Sequence, residues 1–388
     1  MLKRVDLRRF AILAFCCSLA SAQSSPANSS KKLPPRMPPG FMDTWKQQLH
    51  SQKFSHLSAA ARGHILTGEV VSDSRSFPTW QGSFNYQGVN YPFTMAGRSP
   101  RRGGETRLDT SIIFLNFKFE EFVDPQGNDI VLDTSSIMQD VVGSPNFVAT
   151  DYTDGTGQFG DAVQRASFFN IARPSWHTTL KPPRMLKSVT ILVPFGQSQV
   201  LDVTGNGDLV AFVNGDFLYS QLQTILQLEN IRTQELVMLV SGNVFGDSFL
   251  GFHDAIDAGS ARNPGIQTYV YTSWLSENLF GPIFADATTL THEVSEWISD
   301  PFINNLVPDY VIPNSGGFCQ NLLEVGDPIE FLDNQMAPVT VNGHLYHTQV
   351  ETLLPWFSRE VPSSAFEGAY SYPDTTVLLA PSDPCPAP

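Results

Sequence analysis

The chain has 388 residues, room for one large domain or two of ordinary size, and its 41% hydrophobic content excludes a disordered, collagen-like or coiled-coil polymer. Its 24 Lys and Arg against 38 Asp and Glu leave a net charge of -14, which repels phosphate backbones and anionic membranes and sets aside a nucleic-acid-binding role. Charged residues make up only 16% while Phe alone reaches 28, a balance expected of an aromatic-rich extracellular β protein.

Residues 1–22 begin with Lys3, Arg4, Arg8 and Arg9, continue with an apolar run from Phe10 to Leu19, and end in Ala20-Ser21-Ala22, the pattern of a cleaved signal peptide. The apolar run is about half of the ~20 residues a membrane span requires. The expected product is therefore secreted or periplasmic, with no membrane span once the leader is gone. Removal of the leader leaves 20 basic against 37 acidic residues, a balance of -17. It also removes Cys16 and Cys17. Cys319 and Cys385 remain, and an oxidising compartment favours their pairing over two free thiols.

Residues 23–44 are rich in Ser and Pro without an apolar period, so they read as a flexible spacer. A short amphipathic helix is expected from Trp45 to Leu57. From about residue 76 the chain alternates short runs of Phe, Tyr, Val and Thr with Gly, Pro and Asn, which makes 45–204 a β-rich region. Within it, residues 79–97 read as a hairpin with Gly88 to Asn90 at the turn, and residues 111–122 and 188–196 as strands. Beyond residue 205 the pattern is mixed: Leu218, Leu222, Ile225 and Leu226 fall at helical spacing in residues 216–230, and a buried strand follows over 235–245. The sum is an α+β fold, a β-rich N-terminal region followed by a mixed α/β region over 205–388. The sequence leaves open whether these are two domains or one.

The most informative segment is 283–299. Ile283, Ala287, Leu290, Val294, Trp297 and Ile298 recur every three or four positions and describe the core-facing stripe of a helix that stops at Asp300-Pro301. On the opposite side, His292 and Glu296 lie one turn apart with Glu293 beside them. This H-E-x-x-E pattern is the zinc-protease motif H-E-x-x-H with Glu replacing the second His. Imidazole nitrogen and carboxylate oxygen both bind Zn²⁺ at about 2.0 to 2.2 Å, so His292 and Glu296 are expected to hold one zinc ion per chain. Glu293 is then the expected general base, taking a proton from a water that the metal has acidified. The plain alternative is a surface helix whose polar face is merely solvated.

A zinc site needs a third protein ligand. Glu324 is the preferred candidate, with His253, Asp300 and Asp327 as alternative ligands or supporting groups. His344, Tyr346 and His347 fall in a strand-like run, where His344 and Tyr346 share one face. His347 is the candidate to donate a hydrogen bond to a developing oxyanion. Residues 151–161 and 202–208 are rich in Gly and Asp but do not match a calcium-binding loop, and turns explain them.

The segments GQFGDAVQRASFF, GFH, THEVSEWISDPFINN, CQNLLEVGDP and YHTQ, the last shortly before WF, resemble a group of secreted bacterial proteins of acidobacterial type over about residues 76–372. The GFH and H-E-x-x-E-x-x-x-D-P elements also resemble, over the second half only, the plant exordium or phosphate-induced proteins of the cell wall. Both likenesses imply a zincin-like core in the region 205–388. Glu324 as third ligand resembles the way Glu-type zincins complete their sites. Glu296 in place of His, and the missing G-x-x-H extension of the metzincins, are departures from the zinc-protease pattern. Two functions follow as expectations. One is a secreted zinc-dependent hydrolase, foremost a metallopeptidase, acting on a peptide or cell-wall polymer. The other is a non-catalytic extracellular or cell-wall-associated protein whose metal site is structural or degenerate.

Overall fold

The computed structural model describes residues 30–41, 45, 77–229, 231–247, 249–258, 265–277, 279 and 284–386. The leader, and all of the helix expected at 45–57 except Trp45, lie outside them. Lys31–Pro388 forms one compact unit.

At its centre is an eight-stranded mixed sheet. The strand Glu105–Val123 pairs in parallel with Glu235–Gly242, which pairs in parallel with Ile266–Trp274; the edge strand Gly251–Asp257 closes this side antiparallel. Along its other edge the long strand takes His177–Leu180, Arg184–Met185 and Val189–Val193 in parallel, while Asp129–Leu132 pairs antiparallel on the side opposite Val189–Val193. The sheet therefore joins strands from both sides of residue 205, which answers the one-or-two-domain question in favour of a single body.

Side chains alternate across the central strands. Ile112, Phe114, Leu236, Met238, Val240 and Val270 face one core, and Ile113, Leu115, Val237, Leu239, Tyr269 and Tyr271 face another. A sheet buried on both faces is read in sequence as a continuous apolar run, as residues 111–119 and 236–240 show. One core is covered by the helix Thr288–Ser299, the other by the helix Gly215–Leu228. The latter buries Leu218, Leu222, Ile225 and Leu226, as its spacing predicts. The fold is α+β and rich in strands.

Several expectations shift in detail. The hairpin strands are Thr79–Tyr86 and Val89–Ala96, so the turn is Gln87-Gly88, one residue earlier than expected. Both turn residues have positive φ, at 49° and 83°, which suits a tight two-residue connection. Part of the expected spacer is tied to the fold. Lys32 bridges Phe122, Arg36 bridges Asp202, and Lys32 also pairs with Glu121. An extended Pro-rich segment leaves its backbone groups free to pair with a sheet edge.

Cys319 and Cys385 lie at disulfide distance, with Cα atoms 5.9 Å apart across 66 residues. The tail so held lies on the strand Leu306–Val311, where Val311 N donates to Asp383 O. Both Gly/Asp-rich segments form turns, residues 153–154 between short strands and 203–208 between Ser198–Asp202 and Leu209–Val213. Among the described residues no helix is long and apolar enough to cross a membrane.

Candidate metal centre

The site helix runs Thr288–Ser299, starting later than residue 283. Asp286 takes a φ of 27° and pairs its backbone with Leu275, which withholds it from helical hydrogen bonding. Ile283 lies outside the described residues. At the other end the Asp300 carboxylate accepts from the backbone N–H groups of Asn304 and Asn305, both at 3.0 Å, and Pro301 prevents continuation. The apolar stripe is buried as the spacing requires. The polar face is buried too: all twelve residues of the helix are closed to solvent. The solvated-surface alternative is thereby excluded.

Three elements cover that polar face. In the edge strand, Gly251, His253 and Ala255 alternate toward the helix. Gly251 comes so close that a Cβ there would stand 2.7 Å from Glu293 Oε1 and 2.8 Å from the Tyr271 carbonyl. The loop 323–327 is held by Leu323 N on Asn305 O, Gly326 N on Glu296 Oε1 and Thr352 N on Val325 O. It presents Glu324 and Asp327. At Gly326 an added Cβ would sit 2.5 Å from His292 Nδ1, so only glycine admits the ring. Third, the strand His344–Gln349 lies beside the helix, and Gln349 N donates to Thr291 Oγ1.

The result is a buried cluster of two imidazoles and four carboxylates. His253 Nδ1 lies 3.4 Å from Glu296 Oε2, 3.7 Å from Glu324 Oε2 and 3.8 Å from Glu293 Oε2. His292 Nε2 lies 3.1 Å from Glu296 Oε1, 3.6 Å from Asp327 Oδ1 and 3.9 Å from Glu293 Oε1. Five of these six separations exceed hydrogen-bond length. They resemble the spacing of donors around one cation, since two atoms each about 2.1 Å from a tetrahedral ion stand about 3.4 Å apart.

Both rings are locked from behind. His253 Nε2 lies 3.1 Å from the Asp300 carbonyl, which can only accept, so Nε2 carries the proton and Nδ1 faces the carboxylates. Gln349 Nε2 donates to the Gly326 carbonyl, leaving Oε1 to accept from His292 Nδ1 at 3.0 Å. His292 Nε2 is fully enclosed and makes no well-aligned hydrogen bond, with Glu296 Oε1 as its nearest carboxylate oxygen at 3.1 Å. Such outer contacts fix the ring tautomer and orientation that metal ligation requires. Asp327 is steadied likewise, its Oδ2 accepting from Gln320 Nε2 at 2.9 Å.

The electrostatics match this crowding. Burial alone would depress both imidazoles, but Glu324, Glu293 and Glu296 hold His253, and Glu296, Glu293 and Asp327 hold His292, well above the ordinary value. Burial, with Glu296 beside it, pushes Glu324 up, and burial raises Asp300 to about 6. Buried His and Glu groups here could hold a metal ion.

The residues expected from sequence are distributed as follows. His292, Glu293 and Glu296 come together with His253, Glu324 and Asp327. Asp327 is the third group at His292, whereas Glu324 stands beside His253. Asp300 supports His253 through its carbonyl while its carboxylate caps the turn. His347 is engaged elsewhere: its Nδ1 pairs with Asp286 Oδ2 at 2.7 Å and its backbone N–H with Asp286 Oδ1. His344 and Tyr346 share a face with ring centroids 4.4 Å apart. Sequence reasoning missed Gln349, Gly326 and Gly251. It also missed Glu351, fully buried with neither carboxylate oxygen hydrogen-bonded, whose carboxyl burial pushes up beside Glu296 and Glu293.

No protein-family model, curated protein or solved structure matches this chain.

Proposed function

We propose that the protein is an extracytoplasmic, zinc-dependent hydrolase, foremost a metallopeptidase, with His292, Glu296 and Asp327 as holders of the ion and Glu293 as proton acceptor. The observation that supports this is the pair of imidazoles locked from behind, with their inner nitrogens turned onto buried carboxylates at cation spacing. A bound zinc would supply an acidified water and a polarised carbonyl. The chain's own part is to orient His292 through Gln349, to steady Asp327 through Gln320, and to place Glu293 one residue from the ligand on the same helical face. The signal-like leader and the Cys319–Cys385 pair support export, and a peptide or cell-wall polymer fits that compartment.

The near-complete burial of all six groups favours a second reading, a closed structural metal site without turnover. The test is Glu293→Gln assayed on casein, peptide libraries and cell-wall polymers with metal content measured in parallel. The hydrolase reading expects turnover to vanish while metal stays. Unchanged turnover removes Glu293 from its role. Metal without turnover in the wild type leaves the structural reading.

A further inference from the structure

One cation at His292 leaves half of the cluster unused. Resting on the metal reading above, we infer that the site holds two divalent cations side by side, bridged by Glu296. The donor atoms fall into two groups, each within 4.8 Å: His253 with Glu293 and Glu296, and His292 with Glu296 and Asp327. Glu296 belongs to both. Its two oxygens are divided, Oε1 at 3.1 Å from His292 and Oε2 at 3.4 Å from His253, the disposition of a bridging carboxylate. Each group has its own terminal carboxylate, Asp327 at His292 and Glu324 at His253. Each imidazole also has its own orienting acceptor, as a metal-ligating imidazole requires.

Charge bears on the number of ions. Glu293, Glu296, Glu324 and Asp327 carry four negative charges when ionised, all of them on buried side chains. One divalent cation leaves two of those charges uncompensated, whereas two cations compensate all four. Uncompensated buried carboxylates are costly, and Glu324 stands 3.7 Å from the single imidazole of His253 in a cluster that holds three more carboxylates. The donor set, carboxylate and imidazole without thiolate, suits Zn²⁺, Mn²⁺, Fe²⁺ or Co²⁺ and not Cu⁺. For hydrolysis, paired ions can stabilise both the attacking and the leaving oxygen.

The experiment uses the mature chain stripped by chelation and titrated with Co²⁺, with bound ions counted by elemental analysis and the spins followed by electron paramagnetic resonance. Two Co²⁺ per chain are expected, and filling the second position should quench the signal of the first through coupling across Glu296. Glu324→Gln should halve the bound Co²⁺ and restore an uncoupled signal; Asp327→Asn should do the same from the other side. One Co²⁺ per wild-type chain, or two with merely additive signals, overturns the bridged pair while the single-ion reading stands. No bound Co²⁺ overturns both. Both variants leave the bridging Glu296 in place, so the test does not depend on substituting it.

Discussion

Two amphipathic helices cover the two faces of the central sheet, and they treat their polar sides differently. Gly215–Leu228 buries one stripe and leaves Asp216, Ser220, Thr224 and Gln227 exposed. Thr288–Ser299 has a similar apolar stripe, yet its whole circumference is buried, including His292, Glu293 and Glu296. A solvated polar face needs no partner. A buried one must be satisfied by hydrogen bonds, opposite charge or a metal, and here two of the groups that meet it, Glu324 and Asp327, are themselves carboxylates. That difference marks the second helix as the one whose polar face could hold a metal ion.

Removing metal should separate the two helices most strongly. If the ion-binding state is occupied at a thousand times its dissociation constant, chelation should lower stability by about 4 kcal/mol, read as a fall in Tm that added metal reverses. A Tm indifferent to chelator would make the two helices equivalent. Next in size is the apolar contrast: Leu222→Ala should cost roughly 3 kcal/mol from cavity formation, equally with and without metal, whereas Gln227→Ala on the same helix should change stability by less than about 0.5 kcal/mol. Removing the acceptor behind a ligand comes third. Gln349→Ala should weaken metal affinity about 10- to 100-fold while leaving the fold intact, measured by competition with a chelating dye. Unchanged affinity would show that the His292 ring needs no such support.

A pH dependence away from the centre should be weaker still. The hydrogen bond that the His177 ring donates to the Asp161 carboxylate raises the ring's pKa above the ordinary 6.5, against a smaller opposing effect of burial. Folding therefore favours the protonated ring. Its contribution is complete below pH 6.5 and is lost as pH rises through the higher folded-state value. The Tm gap between wild type and His177→Gln should be widest below pH 6.5 and shrink as the pH rises above it, with or without metal. A constant gap would contradict the pairing.

Local pattern made much of this legible. The stripe Leu290, Val294, Trp297, Ile298 and the stripe Leu218, Leu222, Ile225, Leu226 each depend on neighbours in the chain, and both form helices, although the first begins at Thr288 and not at residue 283. The 79–96 hairpin is similarly local, apart from a one-residue shift at Gln87-Gly88. What spacing could not convey is which polar residues face one another across long separations. His253 became part of the cluster only because its strand pairs at the sheet edge and turns alternate residues toward the helix. Asp327 and Glu324 are three residues apart, and the loop's path decides which imidazole each meets. Gln349 carries no motif, yet it lies two positions beyond His347 on the same face of a strand, the one signal that pointed to it. His347 itself was drawn to Asp286, a pairing set by a backbone bridge that no periodicity announces.

The most direct test of the metal centre is elemental analysis of the mature protein purified without chelators, wild type beside a His253→Ala, His292→Ala double variant that retains its fold. Tightly bound divalent metal in the wild type, absent from the double variant, is the expected result. A wild type that holds no metal and takes up none from Zn²⁺, Mn²⁺ or Co²⁺ would contradict it and leave the cluster as a network of protonated imidazoles and carboxyls.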